Sequence, residues 1–217
     1  MSDKTRKIAV LTGDLVNSTG LGPEKVERAF VALEDCAEMQ AEWMGGQSLH
    51  FTRHRGDGWQ VALAEPKYAL RSALCFRAAL RALGEEFDSY IGIAEGEIKG
   101  DVGPDLNEET AAVFSNSGSA LETAKGKDAL SKTHSFEKGY AESTALLLDL
   151  SLESWTTIQA ETALKMLPPS FAMTLTDVAH DLGRHRQAVA KTLRAAGVAH
   201  IREALTNYEF AKDKDIA

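Results

Sequence analysis

Cysteine is scarce in this chain: 217 residues carry two, Cys36 and Cys75. Both fall in helix-like apolar patterns, with neither the paired spacing of a zinc site nor the framework of a disulfide scaffold, so buried free thiols are expected. The six histidines, His50, His54, His134, His180, His185 and His200, show no metal-ligand spacing either and read as surface or packing residues. No apolar run approaches the roughly 18 residues that a membrane span needs, and no leader pattern opens the chain, so a soluble cytoplasmic protein without a membrane partner is expected. Nor is there an excess of positive charge. A formal net charge of -8 excludes a uniformly basic nucleic-acid surface.

The charge is unevenly spread, however. Lys165 to Leu205 holds six Lys and Arg against three Asp and Glu, a net of +3, so the rest of the chain carries -11. An acidic body with a mildly basic end is the pattern of a globular domain attached to a small module. The length permits this, since one domain of about 150 residues and a helical module can each bury a core.

The stretch Ile8 to Leu21 organises the N-terminal part. Ile8 to Leu11 predicts a short buried strand, and Thr12-Gly13-Asp14 places a carboxylate where the chain leaves the core. Asn17, Ser18, Thr19 and Gly20 then offer hydroxyls and open amides, groups that can cradle a phosphate. A helix follows from Pro23 through Ala37. Leu49, Phe51, Arg53 and Arg55 alternate onto one face of a hairpin turned by Gly56-Asp57-Gly58, with Trp59 to Leu63 returning. Another helix runs from Pro66 to Leu83, and SYIGIAEGEI from Ser89 is a strand whose Gly92 and Gly96 suggest close backbone approach. Ala111 to Lys125 reads as a helix weakened by its serines and Gly118. Strand, helix, hairpin, helix, strand, helix predicts an α/β (α+β) domain with a mixed or mainly antiparallel sheet over residues 1–135. Residues 136–217 read as all-helical, with helices over Thr144–Leu152 and Thr157–Leu167, the second ended by Pro168-Pro169. Trp155 is expected to pack the helices of this region.

LTDVAHDLGRHRQAVAKTLRAAGV contains the most distinct pattern. Ala179, Gly183 and Val189 match the packing points of a helix-turn-helix: a small residue where helices approach, a turn residue tolerating positive φ, and an apolar anchor. Thr176 is expected to cap the first helix, with Leu182, Val189 and Leu193 in the shared core. Thr176 on the first helix, Arg184 in the turn, and His185, Arg186, Gln187, Ala190, Lys191 and Arg194 on the second helix are the candidate DNA contacts, suited to base edges and phosphates. The same charges would also serve as the solvated face of a helical pair.

Asp14 and Asp57 each follow a glycine. If their strands are neighbours, the two carboxylates converge at one sheet edge and repel unless a cation lies between them, the arrangement of a Mg²⁺-triphosphate site. Gly-Asp is also ordinary turn chemistry. Arg53 and Arg55 flank Asp57, either as phosphate contacts or as hairpin charges, and Glu95 and Glu97 are further candidate metal ligands.

The blocks Thr12–Ser18, Arg55–Gln60, Ile91–Ile98 and Ser117–Glu122, continuing through Trp155 and Gln159–Glu161, resemble those of the SatD family over nearly the whole chain. Their N-terminal part is similar in turn to the class III nucleotide cyclases, which implies a ferredoxin-like palm. There, the resemblance assigns Asp14 and Asp57 to two divalent metals on a nucleoside triphosphate, adds the Leu15 carbonyl as a ligand, and sets Asn17 to Thr19 near the phosphates. It puts Asn116 at the position of a cyclase asparagine and Arg53 at that of a base-selecting lysine. The cyclase arginine is missing, since Ala120, or Ser119, stands in its place. Three readings follow: a homodimeric DNA-binding transcription regulator whose palm senses a nucleotide, with or without Mg²⁺ or Mn²⁺; a nucleotide cyclase or related phosphoryl-transfer enzyme; or a ligand-free dimerisation platform carrying a DNA-binding module. The two aspartates favour catalysis, and the absent arginine argues against it.

Overall fold

Ile8 to Leu11 is apolar without alternation because both faces of its strand are covered. In the computed structural model, which describes residues 5–54, 56–169 and 173–215, this strand is β1 (Thr5–Leu15). Ala9, Leu11 and Leu15 face one core, and Ile8 and Val10 face a second. After a single helical turn, α1 (Ser18–Leu21), Pro23 supplies the fixed φ of the first turn of α2 (Pro23–Ala41). The hairpin strands are β2 (Thr52–Arg53) and β3 (Gly58–Leu63), followed by α3 (Ala69–Leu83) and β4 (Ser89–Lys99). The sheet order is β2-β3-β1-β4, antiparallel throughout, so β1 lies between β3 and β4 and the two helical crossovers share one face. This split β-α-β arrangement is the ferredoxin-like palm.

The first face packs Trp59, Val61, Ile91 and Ile93 against Phe30 and Leu33 of α2 and Phe76 and Leu80 of α3. Leu49, Phe51 and Arg53 do share that face: Leu49 is buried, Phe51 stacks on Trp59, and Arg53 lies over the Phe30 ring. Arg55 lies outside the described residues. Helix α4 (Ala112–Ala124) covers the opposite face, with Val113 and Phe114 on Ile8, Val10 and Ala94. A Cβ on Gly92 would come within 2.1 Å of the Leu121 nitrogen and 2.2 Å of the Ser117 carbonyl oxygen. The glycine is therefore what allows α4 to lie on the sheet.

The chain pattern gave no sign of β5 (Thr133–Ser135), which pairs parallel to β4 through Ile91, Gly92 and Ile93. Three residues of sequence Thr-His-Ser carry no periodicity, and only the exposed edge of β4 recruits them. Then come α5 (Tyr140–Glu153), α6 (Thr157–Leu164), α7 (Leu175–Asp181), α8 (Arg186–Ala195) and α9 (Val198–Asp215). They join the same core as α2 and α3 through Leu148, Trp155, Ala160, Val178, Val189 and Leu205. Trp155 packs as expected, its indole N–H donating to the Ala196 carbonyl at 2.9 Å.

Helix α3 is buried on nearly all sides and carries three arginines toward the C-terminal helices. Arg71 grips Glu209 of α9 with two bonds of 2.5 and 2.8 Å and donates a third to the Leu167 carbonyl at 2.6 Å. Arg77 forks onto Asp88 at 2.8 and 3.0 Å and reaches Asp149 of α5. Arg81 donates to the carbonyls of Trp155 and Glu153 at 3.1 and 3.0 Å. Burial disfavours the Asp88 carboxylate, yet Arg77 and then Lys132 outweigh it and hold its pKa below the ordinary value.

Two outcomes are expected. Arg71→Ala leaves Glu209 buried without its partner and lowers stability in urea unfolding by about 3–5 kcal/mol, whereas the double variant Arg71→Met with Glu209→Leu recovers most of the loss. Gly92→Ala forces α4 off the sheet and costs about 1–3 kcal/mol in the same measurement.

Candidate functional site

Asp14 sits opposite Gly58 near the end of β1, and Asp57 lies in the turn that leads into β3, so neighbouring strands bring the two carboxylates to one sheet edge. The Leu15 N–H donates to the Asp57 carbonyl at 3.1 Å, closing this end of the hairpin onto β1. Gly13 is fixed by its neighbour: a Cβ there would lie 2.1 Å from the Trp59 indole, which crosses the backbone at this point. That indole donates to Ser89 Oγ at 3.1 Å, and the Ser89 hydroxyl in turn donates to the Asp14 carbonyl at 3.0 Å. Gly-Asp at this position is thus the result of a tryptophan clamping the strand end, and the clamp aims Asp14.

Asp57 accepts a hydrogen bond from the Ser18 hydroxyl. Asn17 adopts the left-handed conformation with φ 52°, and its side chain folds over Gly20, where a Cβ would meet the amide at 2.4 Å. Thr19 is exposed beside it. Of the three loop residues named from sequence, Ser18 thus touches the acids, while Asn17 shapes the turn. Asn116 lies on α4, half-exposed, next to Ser117, whose hydroxyl is 2.6 Å from that of Thr12. Thr12 also accepts from Gln60 at 2.7 Å. This buried polar row runs under the sheet edge and joins α4 to β1 and β3.

Sequence reasoning missed Lys125. It follows the last turn of α4, and its ammonium lies 2.8 Å from Asp14 Oδ2. The signal was present: it is the cation at the end of the one predicted helix left to cover the second sheet face. Its distance from the acids needed the crossing angle of α4. Burial raises the pKa of Asp14, and the Asp57 charge adds to this against the opposing pull of Lys125. Asp57 is shifted the other way, first by the bond from Ser18. The pair therefore holds one strained and one stabilised carboxylate.

Several candidates are not brought to the acids. Arg53 binds Glu27 at 2.9 and 3.1 Å and Glu34 at 2.8 Å on α2, across the sheet from Asp14. Glu95 is buried between Lys7 at 2.9 Å and Lys212 at 2.6 Å, several residues along β4 from the strand end that carries the site. Glu97 is exposed beside Lys7 in the same register. A strand direction that alternates faces placed both glutamates on the face opposite Asp14.

In the C-terminal helices, Gly183 has φ 59° between α7 and α8, and Ala179, Val189 and Leu193 are buried as expected. The helix cap is corrected. Thr174, not Thr176, caps α7, accepting from the Asp177 N–H at 3.2 Å while Asp177 accepts from the Thr174 N–H at 2.9 Å. Thr176 lies within the helix. Arg184 turns inward, donating to Glu161 at 2.6 Å and Thr162 at 3.1 Å on α6. His185, Arg186, Gln187, Lys191 and Arg194 are exposed, and Ala190 is half-buried.

Among the described residues no cluster of three or more His, Cys, Asp or Glu side chains can hold a metal ion. Two carboxylates with a lysine suit instead a cation that brings ligands of its own, as Mg²⁺ or Mn²⁺ does on phosphate oxygens. The donor set fits that group and not a caged resident ion. Among the described residues no helix is long and apolar enough to cross a membrane.

The opposed shifts of the acids give a test without any ligand. A carboxylate with a raised pKa contributes stability at low pH that is lost as pH rises through that value, and one with a lowered pKa contributes stability that is lost as pH falls through it. At pH 7 the neutral variant Asp14→Asn is therefore expected to raise the thermal midpoint and Asp57→Asn to lower it, measured by differential scanning calorimetry.

No protein-family model and no curated protein matches the chain, so the SatD-like blocks stand as a resemblance of short motifs. Among solved structures the chain is similar to the guanylyl cyclase Cya2, at 21% identity over 56% of this chain and 72% of that one, with a TM-score of 0.41. It is also similar to a bacterial light-regulated adenylyl cyclase, at 13% identity over 77% of this chain and 59% of that one, with a TM-score of 0.45.

Proposed function

We propose that the chain is a DNA-binding transcription regulator whose palm, residues 1–135, binds a nucleotide and whose helical part, residues 136–217, reads DNA. The observation that carries this reading is the exposed cationic face of α8. Arg186, Gln187, Lys191 and Arg194 project from the helix that follows the Gly183 turn, with Val189 and Leu193 buried behind them. Such a helix fits a major groove, with its N-terminal residues on base edges and the others on phosphates. The tight turn and buried anchor are those of a helix-turn-helix. Within it, Arg184 serves as an internal strut to α6 rather than as a DNA contact. Two copies would read two half-sites, so a homodimer belongs to this reading.

The palm supplies the sensing side. Asp14, Asp57 and the Leu15 carbonyl would hold Mg²⁺ or Mn²⁺ carried on a nucleoside triphosphate, and the metal would neutralise both carboxylates and the phosphates. Lys125 supplies the remaining positive charge on Asp14, and Asn17, Ser18 and Thr19 border the phosphate side. Relief of repulsion between the acids then favours the bound state. For that binding to alter DNA affinity, one palm–helix arrangement must bind the nucleotide better than another, typically by about 1–3 kcal/mol. The Arg71–Glu209 link between α3 and α9 is the rigid path available for it.

A second reading, phosphoryl-transfer enzyme, is favoured by Lys125, which puts a cation beside Asp14. One experiment separates the two. ATP, GTP, CTP and UTP are incubated with the protein and Mg²⁺ or Mn²⁺, beside an Asp57→Asn control, and resolved by ion-exchange chromatography. Intact nucleotides are expected. A new product that disappears in the control would replace the regulator reading by the enzyme.

DNA binding is tested by fluorescence anisotropy on genomic fragments selected for affinity. Arg186→Ala and Lys191→Ala are each expected to weaken binding and to reduce the slope of log affinity against log salt by about 0.9 for each phosphate no longer neutralised. Arg184→Ala should act through stability alone. Replacing Asp14 and Asp57 together by Ala should abolish the effect of nucleotide on DNA affinity; unchanged DNA binding with no nucleotide effect in the parent protein would leave the palm as a dimerisation platform.

A further inference from the structure

A cavity lies on the helical side of the palm and shares no residue with the acid pair. It has a volume of about 440 Å³, within the range of small-molecule sites, and is walled by α2 and α3 of the palm and by Leu164, Lys165, Pro168 and Met173. Met39, Trp43, Leu164 and Met173 make its interior apolar. The methionines give it walls that adapt to ligand shape.

Its charge is one-sided. Asp35 and Glu42 stand at the mouth, seven residues apart and so about two helical turns along one side of α2 and its continuation. Neither is ion-paired among the described residues. The lining cation is Lys165, whose ammonium is held at 2.7 Å by Asp181 and is thereby neutralised. The Cys36 thiol in the wall is no competitor for an electrophile or metal, since burial pushes its pKa up to about 12. What remains is an apolar chamber with an indole wall and two uncompensated carboxylates at its rim.

We infer that this cavity binds a hydrophobic organic cation, its apolar body between Met39, Leu164 and Met173 and its charge between the Trp43 ring and the carboxylates of Asp35 and Glu42. A cation gains twice there, from the Trp43 ring and from the solvent-facing rim charges of Asp35 and Glu42. A neutral ligand gains neither, and an anion is repelled. The inference stands independently of nucleotide or DNA binding.

The test uses tetraphenylphosphonium as probe, with tetraphenylborate as an anion of the same shape, by isothermal titration calorimetry on the full chain. Saturable binding of the phosphonium and none of the borate is expected. Asp35→Asn with Glu42→Gln, both exposed and remote from the core, should weaken the phosphonium roughly tenfold. Ala32→Trp, which fills the mouth, should abolish binding with an unchanged far-ultraviolet circular dichroism spectrum. Equal binding of both ions, no saturable binding, or undiminished affinity in the double carboxamide variant would overturn the inference.

Discussion

Everything on the helical side of this protein depends on α3 being buried while carrying three arginines. Arg71 and Arg77 are buried and have no water to solvate their guanidinium groups, so each must find its partners within the fold, while Arg81 stands half-exposed at the helix end. Arg71, Arg77 and Arg81 do so by reaching α9, α5 and the chain between α5 and α6. Such pairs add little net stability over apolar residues of the same size, but they penalise any arrangement in which a partner is misplaced. The position of the C-terminal helices on the palm is in this way specified rather than merely permitted. The stripe of α9 makes the same point: Ile201, Leu205 and Tyr208 are apolar, and the next turns end in Glu209 and Lys212, which meet Arg71 and Glu95.

The other face of the sheet obeys a different constraint, close backbone approach. Gly92 admits α4, α4 delivers Lys125, and Lys125 meets Asp14. Trp59 crossing Gly13 fixes the same aspartate from the opposite side. In the proposed reading, the two carboxylates at this strand end, with Lys125 beside them, take a further cation, and the raised pKa of Asp14 is what the fold gives up to keep it there.

The two faces are physically joined. The acid pair closes the ends of β1 and β3, and the helical face of those strands rests on α2 and α3. The buried arginines of α3 then connect to the helices that present Arg186, Gln187, Lys191 and Arg194 to solvent. A change of charge at the strand ends has a continuous packed path to that surface. In the proposed reading this path is the means by which nucleotide occupancy and DNA affinity influence each other, reciprocally and to the same degree.

The amino-acid sequence by itself determined the order of the palm elements, the glycines that admit neighbours, the buried thiols and the Ala179, Gly183 and Val189 spacing. These are local properties: periodicity, turn chemistry and side-chain size act over a few residues and are written in the chain. Only the tertiary structure decided that β5 exists, that Thr174 and not Thr176 caps α7, that Arg53 and Arg184 pair with glutamates of α2 and α6, and that Lys125 lies on Asp14. Each of those depends on which charged group is nearest in space, and long flexible side chains choose partners by distance across the fold. Sequence separation, which exceeds one hundred residues between Asp14 and Lys125, carries no information about that distance.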